Sequence, residues 1–165
     1  MRTAIALLLV FAGWGCGGGE EGPPPSPCGP TQAEVLRAID GDTIELTTGE
    51  RIRYILVDTP ESTNGATDCY GHEASAFNDS LVTGQTITID YDEPTCTDRF
   101  GRLLAYVSVD GRDVNSLLVE RGFGCVLYIP PAGTSRHNEF ESLEATARAE
   151  GRGVWGACSV VTCDN

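Results

Sequence analysis

"AEVLRAIDGDTIELTTGERIRYILVD", residues 33–58, decides the fold. Three apolar or alternating runs, 33–40, 42–48 and 51–58, follow one another with only Gly41 and a Thr48-Gly49-Glu50 turn between them. Runs joined this closely read as neighbouring strands. Further on, "TITIDYD" (86–92) alternates Ile87, Ile89 and Tyr91, and "RLLAYVSV" (102–109) runs to an Asp110-Gly111 turn, giving five strands in all. The spacing predicts helices over 70–82, with Ala74, Phe77, Leu81 and Val82 on one side, over 114–122, stopped by Gly122, and over 138–151, carrying Phe140, Leu143 and Ala147. "FGCVLYI" (123–129) reads as a last short extended piece. Three strands, a helix, two strands and then helices suggest a β-rich α+β fold: a five-stranded OB-type barrel with three helices packed outside. That fold alone names no activity.

The chain begins with material of another kind. Met1-Arg2 and the apolar run "AIALLLVFA" (4–12), too short to span a bilayer, read as an export signal. "GWGC" (13–16) then resembles a bacterial lipoprotein signal, in which Cys16 is lipidated and becomes the N-terminus. Gly13 stands where such signals usually carry leucine, and cleavage after Ala12 is the competing reading. Residues 17–32 are a Gly/Pro-rich linker, 33–158 the folded domain and 159–165 a tail. The expectation is an exported monomer. It would meet a membrane only through its N-terminal lipid, at the cell surface or outer membrane, or be secreted if cleaved before Cys16. There are seven cysteines. With Cys16 lipidated, Cys28, Cys69, Cys96, Cys125, Cys158 and Cys163 remain, an even set that suggests disulfides and leaves their pairing open. A thiolate metal site is the weaker reading, because only Cys158 and Cys163 are close and neither has a histidine at ligand spacing.

Eleven arginines, no lysine and twenty-four acids give a formal net charge of −13. That argues against unselective nucleic-acid binding, which usually shows a basic face, without excluding a locally basic pocket. Asp40 and Asp42 flank Gly41, and "VDTPE" (57–61) brings Asp58 and Glu61 to the end of an apolar run. Each acid alone is ordinary turn chemistry. Together, beside a backbone carbonyl, they offer the oxygen ligands that suit a hard cation such as calcium. Arg53 lies on the same run as Asp58, and Arg102 follows a glycine at a strand start. An arginine at a strand edge is commonly a surface ion pair of little worth. It is also the side chain that clamps a phosphate by two parallel hydrogen bonds. Cation, carboxylate and two arginines are what phosphodiester cleavage needs.

In order and spacing, "IDGDTIEL", "RYILVDTPE", "CYGHEASAF", "TDRFGRLLAYV", "DGRDVNSLLVERG" and "GRGVW" resemble the staphylococcal nuclease family over about residues 34–155. The resemblance implies an OB barrel with three helices and a calcium-dependent nuclease of DNA and RNA. Its products would carry 3′-phosphate and 5′-hydroxyl ends, and its substrates would be single-stranded or denatured. It also implies that Asp42, Asp58 and the Thr59 carbonyl hold Ca2+, and that Glu61 activates or positions water. By the same carry-over Arg53 and Arg102 clamp the phosphate, and Asp40 supports the metal through water. Arg99 and Phe100 stand where the family has a nucleotide-binding lysine and tyrosine. Tyr128 matches a tyrosine that packs near the base, and Pro130 replaces a second one. The family fold suggests the pairs Cys69–Cys96, beside the active-site face, Cys125–Cys158, near Trp155, and Cys28–Cys163, tying the termini. A related barrel that binds nucleic acid or protein without cutting is the rival. Such domains typically lose the acids or arginines, and here the full set is present.

Overall fold

The computed structural model describes residues 26–62, 67–92 and 94–162. The expected signal segment with Cys16, residues 17–25 of the linker, and Cys163 lie outside the described residues. The strands are β1 (Gln32–Ala38), β2 (Thr43–Leu46), β3 (Arg51–Tyr54), β4 (Thr86–Asp90), β5 (Leu103–Val109) and the two-residue β6 (Arg112–Asp113). The helices are α1 (Gly71–Val82), α2 (Val114–Glu120), α3 (His137–Ala149) and a single turn, α4 (Val154–Ala157). The sheet runs β3-β2-β1-β4-β5-β6, and β3 also pairs with β5. That last pairing is parallel, with Arg53 opposite Leu104, and it closes β1–β5 into a mixed barrel. The five-stranded OB-type barrel with three helices is therefore present, with α4 as a small addition.

One strand serves both halves of the barrel. Gln32, Ala33 and Glu34 of β1 pair with β4, while Val35, Arg37 and Ala38 pair with β2. The register slips between Val35 and Arg37, and such a bulge bends a strand and sharpens its twist. Inside, Val35, Ile44, Leu46, Ile52, Ile87, Ile89 and Val107 fill the barrel, and Val114, Leu118, Val119 and Phe140 cover it from α2 and α3. Phe140 has no exposed surface, and burying a side chain of that size contributes about 2–3 kcal/mol.

The third predicted strand does not run to Asp58. β3 ends at Tyr54, and the chain turns at residues 55–56, with Leu56 in the left-handed region (φ 62°). The Ile55 amide makes the last bond of the β3–β5 ladder, to the Ala105 carbonyl, and the side-chain amide of Asn115 then takes the Ile55 carbonyl through Nδ2. The chain re-extends at Asp58, which exchanges backbone hydrogen bonds of 2.9 and 2.8 Å with Cys125. That bridge is the extended character read in 123–129, which forms no longer strand.

The disulfides also differ from expectation. Cys28 is bonded to Cys96 and Cys69 to Cys158, in place of Cys69–Cys96, Cys125–Cys158 and Cys28–Cys163. Cys125 is disulfide-bonded too. The cause is where the ends of the domain lie. The stretch ahead of β1 runs along the barrel, with Ile89 N donating to the Thr31 carbonyl and the Tyr91 hydroxyl to that of Pro30. Cys28 thus reaches the β4–β5 connection, although its neighbours have linker composition. Cys158, just past α4, meets Cys69, two residues before α1.

Candidate active site

The β1–β2 turn makes a corner of Asp40, Gly41, Asp42 and Thr43. The Asp42 amide donates to Asp40 Oδ1 at 3.1 Å, and the Ile39 amide to the Thr43 carbonyl at 2.8 Å. Gly41 admits a second segment against this corner, because a Cβ there would lie 2.5 Å from Thr59 Oγ1. Asp42 is buried, and its carboxylate accepts from Thr43 Oγ1 (3.1 Å), from the Thr59 amide (2.8 Å) and from Thr59 Oγ1 (3.0 Å). Behind it, α1 contributes Asn78, which donates from Nδ2 to the Asp40 carbonyl and accepts from the Tyr54 hydroxyl, both at 2.9 Å.

Arg53 joins the two acidic segments. Its Nε lies 3.1 Å from Asp42 Oδ1 and its Nη2 2.8 Å from Asp58 Oδ1. Nη1 donates to the carbonyls of Tyr54 and Val57. The turn that interrupts the predicted strand therefore wraps this guanidinium. Asp40, at the start of the corner, has its carboxyl pushed up to about 6 by burial and by the charge of Asp42. Three carboxylates, of Asp40, Asp42 and Asp58, stand around the guanidinium of Arg53.

Arg102 comes from the loop before β5. Burial alone would raise the Asp98 carboxyl, but hydrogen bonds from Arg102 and the Phe100 amide outweigh it and hold that carboxyl below its ordinary value. Arg102 Nη1 reaches Thr43 Oγ1 at 3.5 Å, and Thr43 in turn donates to Asp42. Arg99 and Arg102 both stand over the Phe100 ring, at 4.8 and 5.5 Å from its centroid, and the ring is 68% exposed. An open groove beside them is also lined by Glu45, Glu50 and Arg51.

Glu61 is exposed, at the start of a loop closed at its base. The Asp68 amide donates to the Glu61 carbonyl at 2.9 Å, and the Glu61 amide to Asp68 Oδ2 at 3.3 Å. Tyr128 makes its contacts elsewhere: its ring stacks on His137, centroids 4.1 Å apart, and its hydroxyl meets Thr134 Oγ1 at 2.8 Å.

The structure thus brings Asp40, Asp42, Thr59, Arg53, Asp58 and Arg102 into one bonded set and puts Phe100 and Arg99 beside it. Among the described residues no three His, Cys, Asp or Glu side chains converge to hold a metal. The available donors are two carboxylates, of Asp42 and Asp58, and the main chain of Thr59. An oxygen-only set with surplus negative charge fits a hard cation whose remaining positions, of roughly six to eight, water would fill.

Residue-by-residue reading missed Thr43, Asn78 and Asp98. A signal for Asp98 is present in "TDRFGR", since an aspartate ahead of a glycine turn commonly accepts from amides that follow it. Thr43 and Asn78 carry no such local mark.

A family model described as "Staphylococcal nuclease homologue" matches residues 51–157. The SPbeta prophage-derived endonuclease YokF of Bacillus subtilis (strain 168) is 37% identical over 131 residues, which is 76% of this chain and 44% of that protein. Endonuclease YncB of the same organism is 37% identical over 131 residues, 76% of this chain and 62% of its own length. The chain spans less than half of the first and under two thirds of the second. An uncharacterized endonuclease of Escherichia coli is 32% identical over 162 residues, 94% of this chain and 90% of its own. On the family match and these identities, the chain belongs to the staphylococcal nuclease homologue family.

Proposed function

We propose that this domain is a calcium-dependent endonuclease that hydrolyses single-stranded or denatured DNA and RNA to 3′-phosphate and 5′-hydroxyl ends. The observation that carries the reading is the bonded path from one arginine to the other. Arg53 sits between Asp42 and Asp58, and Arg102 reaches the same Asp42 through the Thr43 hydroxyl. The endonuclease names of the relatives support it.

In this reading Asp42, Asp58 and the Thr59 carbonyl would hold Ca2+, and Asp40 would support them. A bound calcium ion supplies positive charge where the phosphoryl oxygens gain negative charge. Arg53 and Arg102 clamp those oxygens, and donors already fixed in place are worth most where charge develops. Arg53 is held rigidly, which costs no reorganisation during reaction. Glu61 orients or deprotonates the attacking water. Water loses a proton as it adds to phosphorus, the P–O5′ bond breaks and the departing 5′ oxygen takes a proton from solvent, so the 3′ oxygen keeps the phosphate. Phe100 offers an exposed face to a base, and Arg99 a charge to a flanking phosphate. With a net charge of −13, attraction to nucleic acid is local to this pocket, so affinity falls less steeply with salt than in a basic nuclease.

The folded domain incubated with single-stranded DNA tests the proposal. Cleavage is expected with calcium, none with chelator, and a loss of at least about a hundredfold in Glu61→Gln or Arg102→Ala. Cleavage that survives both chelation and the double substitution would end this assignment.

A further inference from the structure

We propose that Asp98 is a positioning residue for Arg102, holding one edge of its guanidinium so that the other faces the acidic corner. The inference rests on the nuclease reading above and adds a residue to which that reading gives no role. Asp98 does two separable jobs. Through Oδ1 it accepts from the amides of Phe100 (2.8 Å) and Arg102 (3.0 Å), which shapes the loop. Through Oδ2 it takes Arg102 Nε (2.7 Å) and Nη2 (2.7 Å), a charge-assisted clamp on one side of the planar group. The backbone reinforces both, since the Asp98 amide donates to the Arg102 carbonyl at 3.0 Å and the Gly101 amide to the Asp98 carbonyl at 3.1 Å.

A guanidinium has donors on three nitrogens in a fixed plane, so fixing the Nε–Nη2 edge fixes where Nη1 points. Here Nη1 points to Thr43 Oγ1, and Thr43 is bonded to Asp42. Without the clamp, Arg102 is a long flexible side chain on an exposed loop. Its productive orientation would then have to be found anew in every encounter.

The two jobs can be separated by mutation. Asp98→Asn keeps an oxygen for the two loop amides but turns an NH2 toward Nε and Nη2, donor against donor. Asp98→Ala removes both functions. Asp98→Asn is expected to lower kcat on the order of tenfold to a hundredfold with KM changed by less than about threefold. In an Arg102→Ala background the same substitution should cause no further loss. A loss of equal factor in that background, or Asp98→Asn within about twofold of wild type, overturns the proposal.

A second measurement is independent of activity. The Arg102 Nε–H signal in NMR should be protected from solvent exchange in the wild type and unprotected in Asp98→Asn. An unprotected Nε–H in the wild type overturns the clamp even if the protein cleaves DNA. A wild type that cleaves nothing but keeps the protection overturns the nuclease reading instead.

Discussion

A methyl group at position 71 would fall on the carbonyl oxygen of Glu61. Gly71 is the first residue of α1, so helix propensity alone favours alanine there by about 1 kcal/mol. The obstacle is backbone rather than a side-chain tip, and it cannot swing away. We therefore expect Gly71→Ala to destabilise the domain by about 1–3 kcal/mol in urea unfolding and to lower kcat by displacing Glu61. A more stable, fully active variant would show that propensity outweighs contact. At this scale side-chain type and order singled out Asp42, Arg53, Asp58 and Arg102, and the structure brings these four together. The sequence was silent on Thr43 and Asn78, because a hydroxyl or amide becomes a site residue only through tertiary partners. The position of Tyr128 illustrates the same limit: its alignment with a base-packing tyrosine does not reveal that its ring stacks on His137.

Elements tell a related story. The 51–58 run has strand composition throughout, yet past its last bond to Ala105 the Ile55 carbonyl goes to Asn115 and the chain turns where no local pattern marks it. Cysteine pairing was illegible for the same reason, since it depends on where the ends of the domain lie. Each described disulfide lies next to a different wall of the site. Cys96 is two residues before Asp98, and its carbonyl accepts from Leu104 at 2.9 Å. Cys69 follows Asp68, which closes the Glu61 loop. Replacing either pair by serine should cost roughly 2–5 kcal/mol in thermal unfolding. Kinetics should separate them: loss of Cys28–Cys96 raises KM through the exposed Phe100 and its neighbour Arg99 as well as lowering kcat through Arg102, and loss of Cys69–Cys158 lowers kcat alone through Glu61. Identical kinetic changes in the two variants would refute that division.

Across the whole molecule, barrel and helices were legible because alternation and turn residues recur along the chain. The seam was not. β3 and β5 are joined in parallel by residues as distant as Ile52 and Leu103, and nothing local announces such a partner. The site straddles it: Arg53 lies on β3 and Arg102 immediately before β5. Pairings this remote in sequence form slowly during folding, because the intervening chain must first lose its freedom. On the nuclease reading, cleavage would therefore be a clock for closure of the seam. A half-assembled precursor with an open seam would not cut, however well its β1–β2 hairpin had formed. In refolding from urea, activity should return in step with exchange protection of the Ile55 amide, which bonds across the seam to Ala105. Activity that appears ahead of that protection would mean the two arginines can meet without it.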